Sequence, residues 1–162
     1  MSGRDFVTSQ FPEIRSEHFK ITSNPDYLYN CFSWAIEDKT RWWWPAFGRY
    51  WPPGAAFNDH VDTFVAVLNM FGYELCDFDP SLDEDYEKIV IYANEFGQAK
   101  HLARQLGRGV WTSKLGPSYY ISHHKLDDLA GEHYGKPAQM VRRSFQRGVT
   151  PSEGRRRKGR HK

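Results

Sequence analysis

The chain has 162 residues, with 22 Lys or Arg against 20 Asp or Glu and only two cysteines. This length suits one domain with a single core. Two cysteines are too few for a multi-bridge secreted scaffold or a zinc site of paired thiolates. No segment approaches the run of about 20 apolar residues that spans a bilayer, and the first residues lack a signal-peptide pattern. We therefore expect a cytoplasmic protein with free thiols and no membrane contact, although a specialised secretion system could still deliver it.

The charge is unevenly distributed along the chain. Nine of the basic residues but only one acidic residue lie within 142–162, so the preceding body is net negative. The segment after Val149 lacks apolar side chains, so hydrophobic burial cannot offset the conformational entropy that this segment would lose on ordering. We expect residues 146–162 to form a basic, disordered tail. Such a tail would bind an acidic partner or nucleic acid in a salt-dependent way, or would serve solubility alone.

Residues 29–38 show the apolar spacing of a helix. Cys31, Trp34 and Ala35 share one face, and Asn30 is a suitable N-cap. The aromatic segment RWWWPAFGRYWPPGAAF follows, and its three prolines exclude continuous regular structure. We expect this segment to be a loop that packs over the core, where it could also form one wall of a substrate groove.

A second helix is predicted after the aromatic segment. Asn58 or Asp59 can cap it, Asp62 lies in its first turn, and Gly72 terminates it. The apolar residues between them recur at helical spacing.

The second half of the chain has the pattern of short strands. Four segments rich in β-branched or aromatic residues are separated by turn signals: 88–94, 100–106, 110–116 and 138–144. A short helix is predicted within 123–131, ending at Gly131. Helices followed by a run of strands are typical of an α+β domain, with the helices packed on one face of an antiparallel sheet of about four strands.

Cys31 is the candidate nucleophile. A helix start lowers the pKa of a thiol, because unpaired amides and the helix dipole favour negative charge there. The amides of residues 30–32 could also hold an oxyanion. We expect iodoacetamide to label Cys31 faster than Cys76 at about pH 6. Of the seven histidines, His101 opens a strand expected at the centre of the sheet, where its ring would be held stiffly.

These residues carry a resemblance to a known superfamily. A cysteine at a helix start, then a strand led by histidine, then a turn and another strand resembles the NlpC-type papain-like cysteine peptidases. Their pattern, His-Val-Gly-Ile-Tyr-x-Gly-x-Gly, has a parallel rhythm in HLARQLGRGVWTS. The motifs YNCxxWA, RWWWP, HxARQL and WTSKLG resemble a small, uncharacterised bacterial family of such domains, over residues 29–143.

The resemblance implies a papain-like α+β domain at residues 27–145, after an N-terminal extension at 1–26. It implies a thiol hydrolase in which Cys31 is the nucleophile, His101 the base and Ser113 the residue that orients the imidazole. Papain-like peptidases more often place His, Asn or Gln at the third position, and a serine stabilises imidazolium less than a carboxylate would.

The substrate would be a peptide or another amide, and no cofactor is required. We assign oxyanion stabilisation and substrate binding to four residues: Tyr27, Asn30, Trp43 and Trp44.

Three other interpretations stay open. Cys31 and His101 could be buried structural residues. A metal could bind at His60 with Asp59 and Asp62, or around residues 123–128, although neither spacing is a known ligand signature. Finally, the chain could be a catalytically weak or inactive papain-like module whose tail and aromatic loop bind an acidic partner or nucleic acid.

Overall fold

A computed structural model describes residues 2–145 of the chain, so the predictions for the basic tail at 146–162 lie outside the described residues. The helices are α1 (Gly3–Gln10), α2 (Cys31–Ala35) and α3 (Val61–Asn69), with short 3₁₀ helices at Ser16–His18 and Leu126–Leu129. The strands are β1 (Phe19–Ser23), β2 (Glu74–Cys76), β3 (Tyr86–Ala93), β4 (Ala99–Gln105), β5 (Trp111–Lys114), β6 (Tyr120–His123) and β7 (Lys136–Ser144).

The protein is α+β, as predicted, and its sheet is open. Within residues 2–145 seven strands pair in the order β1-β6-β5-β4-β3-β7-β2, each antiparallel to its neighbours. The four predicted strands are β3, β4, β5 and β7, and β4 lies at the centre. The prediction of about four strands is wrong in number, because β1, β2 and β6 span only three to five residues and give little periodic signal.

Both faces of the sheet are covered, because alternate side chains of the central strands point to opposite sides. On one face, Ile89 and Ile91 of β3 pack with α2 and α3 in the core cluster that contains Phe32 and Phe64. On the other face, Val90 of β3 packs with α1 and the segment that follows it. The helices therefore do not share one face as predicted, and the N-terminal 26 residues contribute buried side chains such as Val7 and Phe11 to the second core.

The aromatic segment packs over the core as predicted. Trp43 and Trp51 are buried in the first core cluster. The ring of Phe32 lies parallel to that of Trp43, with centroids 5.7 Å apart, and meets Trp51 edge-on at 5.2 Å. The irregular backbone of this segment is thus anchored by aromatic contacts.

The helix predicted after the aromatic segment is α3, and its limits differ from the prediction by a few residues. Helix α3 begins after His60, whose side chain makes no capping bond. Asn58 instead accepts hydrogen bonds from the His60 amide at 3.0 Å and the Thr63 hydroxyl at 2.6 Å. The helix ends at Asn69, before the predicted stop at Gly72. None of the helices within residues 2–145 has the length and apolar character of a membrane-spanning segment.

Asp38 ties the aromatic segment to the end of α2. Its carboxylate accepts hydrogen bonds from the Thr40 amide and the Trp43 indole N–H, both at 2.9 Å. Burial acts to raise the pKa of Asp38, but the hydrogen bonds from Thr40, Trp43 and Arg41 outweigh it and lower the pKa from 3.8 to about 2. The resulting stabilisation is complete above the unfolded pKa and is lost as the pH falls through the folded pKa.

We predict that Asp38→Asn lowers the free energy of unfolding by about 1 kcal/mol at neutral pH, less than the full change in pKa would give, because solvent screens a carboxylate near the surface. The variant should also lose less stability than the wild type between about pH 4 and pH 2. Urea unfolding at a series of pH values measures both effects. Glu95→Gln, in an exposed turn, is the control. An acid loss in Asp38→Asn as steep as in the wild type would contradict the prediction.

Candidate active site

The site lies where the sheet splits between β4 and β5. These strands pair only through Arg104 and Gln105 of β4, so the preceding part of β4 has no partner strand on that side. Helix α2 packs against this free edge, and the backbone N–H of Leu102 donates to the sulfur of Cys31. The split therefore lets a thiol from a helix start reach the edge of the central strand.

Asn30 caps α2, as predicted. Its side-chain oxygen accepts from the amides of Ser33 and Trp43, each at 3.2 Å, and its side-chain nitrogen donates to the Trp43 carbonyl at 2.8 Å. The Asn30 side chain thus joins the helix start to the aromatic segment. The amides of Cys31 and Phe32 act to lower the pKa of the Cys31 thiol, as expected for the free amides in the first turn of a helix.

The segment that leads into α2 is held by a buried ammonium group. Lys114 Nζ donates to the backbone carbonyls of Asp26 at 2.6 Å, Tyr29 at 3.1 Å and Gly116 at 2.7 Å. These three bonds use every donor of the ammonium group. Because Lys114 lies at the end of β5, these hydrogen bonds attach the segment before α2 to β5, across the gap from β4.

The end of α2 is held by a buried guanidinium group. Arg104 donates to the Trp34 carbonyl at 3.3 Å and forms an ion pair with Glu37 at 3.3 Å. Glu37 has a φ of 65°, a backbone conformation that costs a non-glycine residue about 1 kcal/mol or more. The ion pairs of Glu37 with Arg104 and, at 3.9 Å, with Arg143 offset this cost.

A pocket of about 210 Å³ opens at the start of α2. It is lined by Asn30, Cys31, Trp42, Trp44, Lys100, His101, Gly116 and Tyr134. The structure therefore brings Cys31 and His101 to one pocket, although 70 positions separate them in the chain. Both ring nitrogens of His101 are buried and lack a hydrogen-bond partner among residues 2–145, Cys31 included.

The two groups are neutral at rest. Burial raises the pKa of the Cys31 thiol to about 11, although the amides of Leu102, Phe32 and Cys31 act to lower it. Burial, followed by the nearby His123, holds the pKa of His101 well below its usual 6.5. The expectation that the helix start activates Cys31 is wrong for the resting protein, because the loss of solvent outweighs the helix amides.

Ser113 does not hydrogen-bond to His101, so the prediction that it orients this imidazole is wrong. Its hydroxyl bonds the Nε2 atom of His123 at 2.9 Å, and the Nδ1 atom of His123 lies 3.1 Å from the Lys125 carbonyl. Since a carbonyl only accepts, Nδ1 carries the proton and Nε2 accepts from Ser113. Ser113 thus orients His123, whose pKa burial lowers to about 4.

The four residues assigned to substrate binding separate into three places. Asn30 and Trp44 line the pocket. Trp43 is buried in the core and donates its indole N–H to Asp38. Tyr27 is 77% exposed and borders a different pocket, beside Phe6.

Four pocket residues were absent from the sequence-based site: Trp42, Lys100, Gly116 and Tyr134. The ring of Tyr134 lies parallel to that of His101, with centroids 4.0 Å apart and planes tilted by 1°. The two glycines that flank Tyr134 in GEHYG indicate a tight turn. Nothing local in the sequence indicates the contact with His101, because it depends on tertiary structure.

The metal alternatives find no support in the described part of the chain. Residues 2–145 contain no group of three or more His, Cys, Asp or Glu side chains that could hold a metal ion. His123, in one of the two proposed clusters, is engaged by Ser113 and the Lys125 carbonyl.

The fold and site define an α+β protein with an open antiparallel sheet and a buried thiol and imidazole in one pocket. Residues 20–142 match the family model described as a domain of unknown function, DUF7689. The chain belongs to this family. No curated protein and no solved structure matches it.

We predict a slow, base-dependent alkylation of Cys31. In a Cys76→Ser background, the iodoacetamide rate at Cys31 should rise about tenfold per pH unit up to about pH 11, because only the thiolate reacts. Mass spectrometry of the labelled peptide measures the rate. A rate that is flat between about pH 5 and pH 8 would instead indicate a thiolate and imidazolium pair and would contradict the prediction.

Proposed function

We propose that the protein is a cysteine hydrolase of papain-like architecture, acting on a peptide or another amide with Cys31 as nucleophile and His101 as base. The observation that carries the proposal is their shared pocket: a thiol at a helix start and a buried, unpartnered imidazole on the central strand. Both elements and their order in the chain agree with the resemblance to NlpC-type peptidases.

The reaction begins with attack of the Cys31 sulfur on the substrate carbonyl carbon, while His101 takes the thiol proton. The amides of Cys31 and Phe32 stabilise the oxyanion. The C–N bond then breaks, and His101 returns the proton to the leaving amine. Water, deprotonated by His101, hydrolyses the thioester and restores the thiol.

Cys31 and His101 are both neutral in the empty pocket, and this determines when the proton can move between them. Proton transfer from Cys31 to His101 is uphill in the empty pocket, because burial disfavours both charged forms. The transfer becomes favourable only as the new C–S bond forms and the oxyanion meets the helix amides. The protein would therefore act by general-base catalysis rather than through a preformed ion pair.

The neutral pair also favours a second candidate function, a papain-like binding module with little or no turnover. No carboxylate or amide side chain among residues 2–145 bonds the ring of His101 to stabilise its protonated form. In that case the aromatic pocket would bind a ligand without cleaving it.

Acylation by p-nitrophenyl acetate tests the two functions against each other. We predict a burst of p-nitrophenol and an acetyl group on Cys31, detected by peptide mass spectrometry. Cys31→Ser should abolish the thioester, and His101→Ala should slow acylation about 100-fold or more, since it removes the general base.

Cys76→Ser is the matched control and should leave the burst unchanged, because Cys76 lies outside the pocket and bonds the Met140 carbonyl. Circular dichroism of each variant confirms that it is folded. Acetylation of Cys31 at the same rate with and without His101, or none at all, would support the binding module and overturn the hydrolase.

We further propose that the substrate carries an anionic group next to the scissile bond. Lys100 is the charged side chain of the pocket lining, is half-buried, and makes no ion pair within residues 2–145. Trp42 and Trp44 supply the adjacent apolar wall. An unpaired cation beside aromatic rings suits an acyl group with an apolar part and a carboxylate.

This charge preference can be measured with two reagents of similar size. In the Cys76→Ser background, Lys100→Glu should lower the rate ratio of iodoacetate to iodoacetamide at Cys31 by about threefold to tenfold, as expected for one reversed charge near the pocket. Lys20→Glu, on a distant strand, is the control. An unchanged ratio in Lys100→Glu would show that Lys100 does not select the substrate.

A further inference from the structure

Tyr134 is the ring that covers His101. Their parallel stacking at 4.0 Å is the closest ring contact among the aromatic pairs of the described residues. Tyr92 of β3 lies beside this stacked pair and meets both rings edge-on, with its ring 5.3 Å from His101 and 6.3 Å from Tyr134. The imidazole is therefore held among aromatic rings rather than by hydrogen bonds.

The turn that carries Tyr134 is closed by hydrogen bonds and packs tightly against the end of β3. Gly131 and Gly135 exchange two backbone hydrogen bonds of 2.8 Å. Gly135 has a φ of 73°, and a Cβ atom there would overlap the backbone carbonyl of Ala93 at the end of β3. Only glycine allows this close approach, so the backbone of the turn fixes the height of Tyr134 over the sheet.

We infer that Tyr134 is a positioning residue for His101: its ring fixes the plane of the imidazole beside Cys31 and screens it from water. This inference rests on the proposed hydrolase. A free imidazole would lose the alignment that proton transfer requires, and misplacement of a catalytic group by about 1 Å can cost 100-fold in rate. The low pKa of His101, caused by burial, agrees with the screening.

Several titratable groups face His101 and must be considered in any pH experiment. Cys31 approaches from α2, His123 from β6, and Tyr92 and Tyr134 from β3 and the closed turn. Lys100 precedes His101 on β4. The tyrosines are neutral across the accessible range, because burial raises the pKa of both.

Two readouts test the inference in the full chain. The first is the pKa of His101 from imidazole ¹H–¹⁵N NMR, assigned with His101→Gln. We expect the pKa to move toward 6.5 in Tyr134→Ala and to stay at its wild-type value in Tyr134→Phe. The second is acetylation of Cys31 by p-nitrophenyl acetate, which should fall at least tenfold in Tyr134→Ala and be restored in Tyr134→Phe.

Two further variants keep the test decisive. Tyr134→Leu retains apolar cover without a flat ring, so it should fold and still lose acylation at least tenfold. Glu132→Ala, an exposed neighbour in the same turn, should behave as the wild type. If the wild type is acetylated in a His101-dependent way and both Tyr134→Ala and Tyr134→Leu keep that rate, the inference is overturned and the hydrolase stands. If the wild type is not acetylated, the hydrolase fails, and with it the positioning role.

Discussion

The incomplete pairing of β4 with β5 is the constraint on which the rest of the site depends. A fully paired central strand would present a continuous ladder and leave no room for a helix start at its edge. Because pairing stops at Arg104, the amide of Leu102 is free to bond the Cys31 sulfur. The same opening separates Ser113 from His101 and creates the pocket, so the geometry of the candidate site follows from one defect in the sheet.

Two buried cations hold α2 in the gap between β4 and β5. Lys114 binds three carbonyls around the segment before α2, and Arg104 binds a carbonyl and Glu37 at its end. Buried charges are costly unless they are paired or hydrogen-bonded. Lys114 meets this condition with its three carbonyls, and Arg104 meets it chiefly through its ion pair with Glu37. A five-residue helix has little stability of its own, so these contacts determine where Cys31 lies.

The environment of the pocket determines its chemistry. Aromatic rings surround His101 and exclude water, which keeps the imidazole neutral and able to accept a proton. The same burial keeps Cys31 a thiol, so the proposed hydrolysis would require substrate binding to favour proton transfer from Cys31 to His101. Under the proposed function, Cys31 would react with a bound substrate and only slowly with other electrophiles in solution.

The sequence by itself determined the local features. Apolar periodicity indicated four of the strands, and the Asn30 cap and the Cys31 helix start followed from the bonding needs of a first helical turn. Those signals act over a few residues. Tertiary structure alone decided that β1, β2 and β6 complete the sheet, that Ser113 pairs with His123, that Tyr134 covers His101, and that the thiol is buried. Each of these depends on groups distant in the chain, and the cost of desolvation exists only once the core has closed around them.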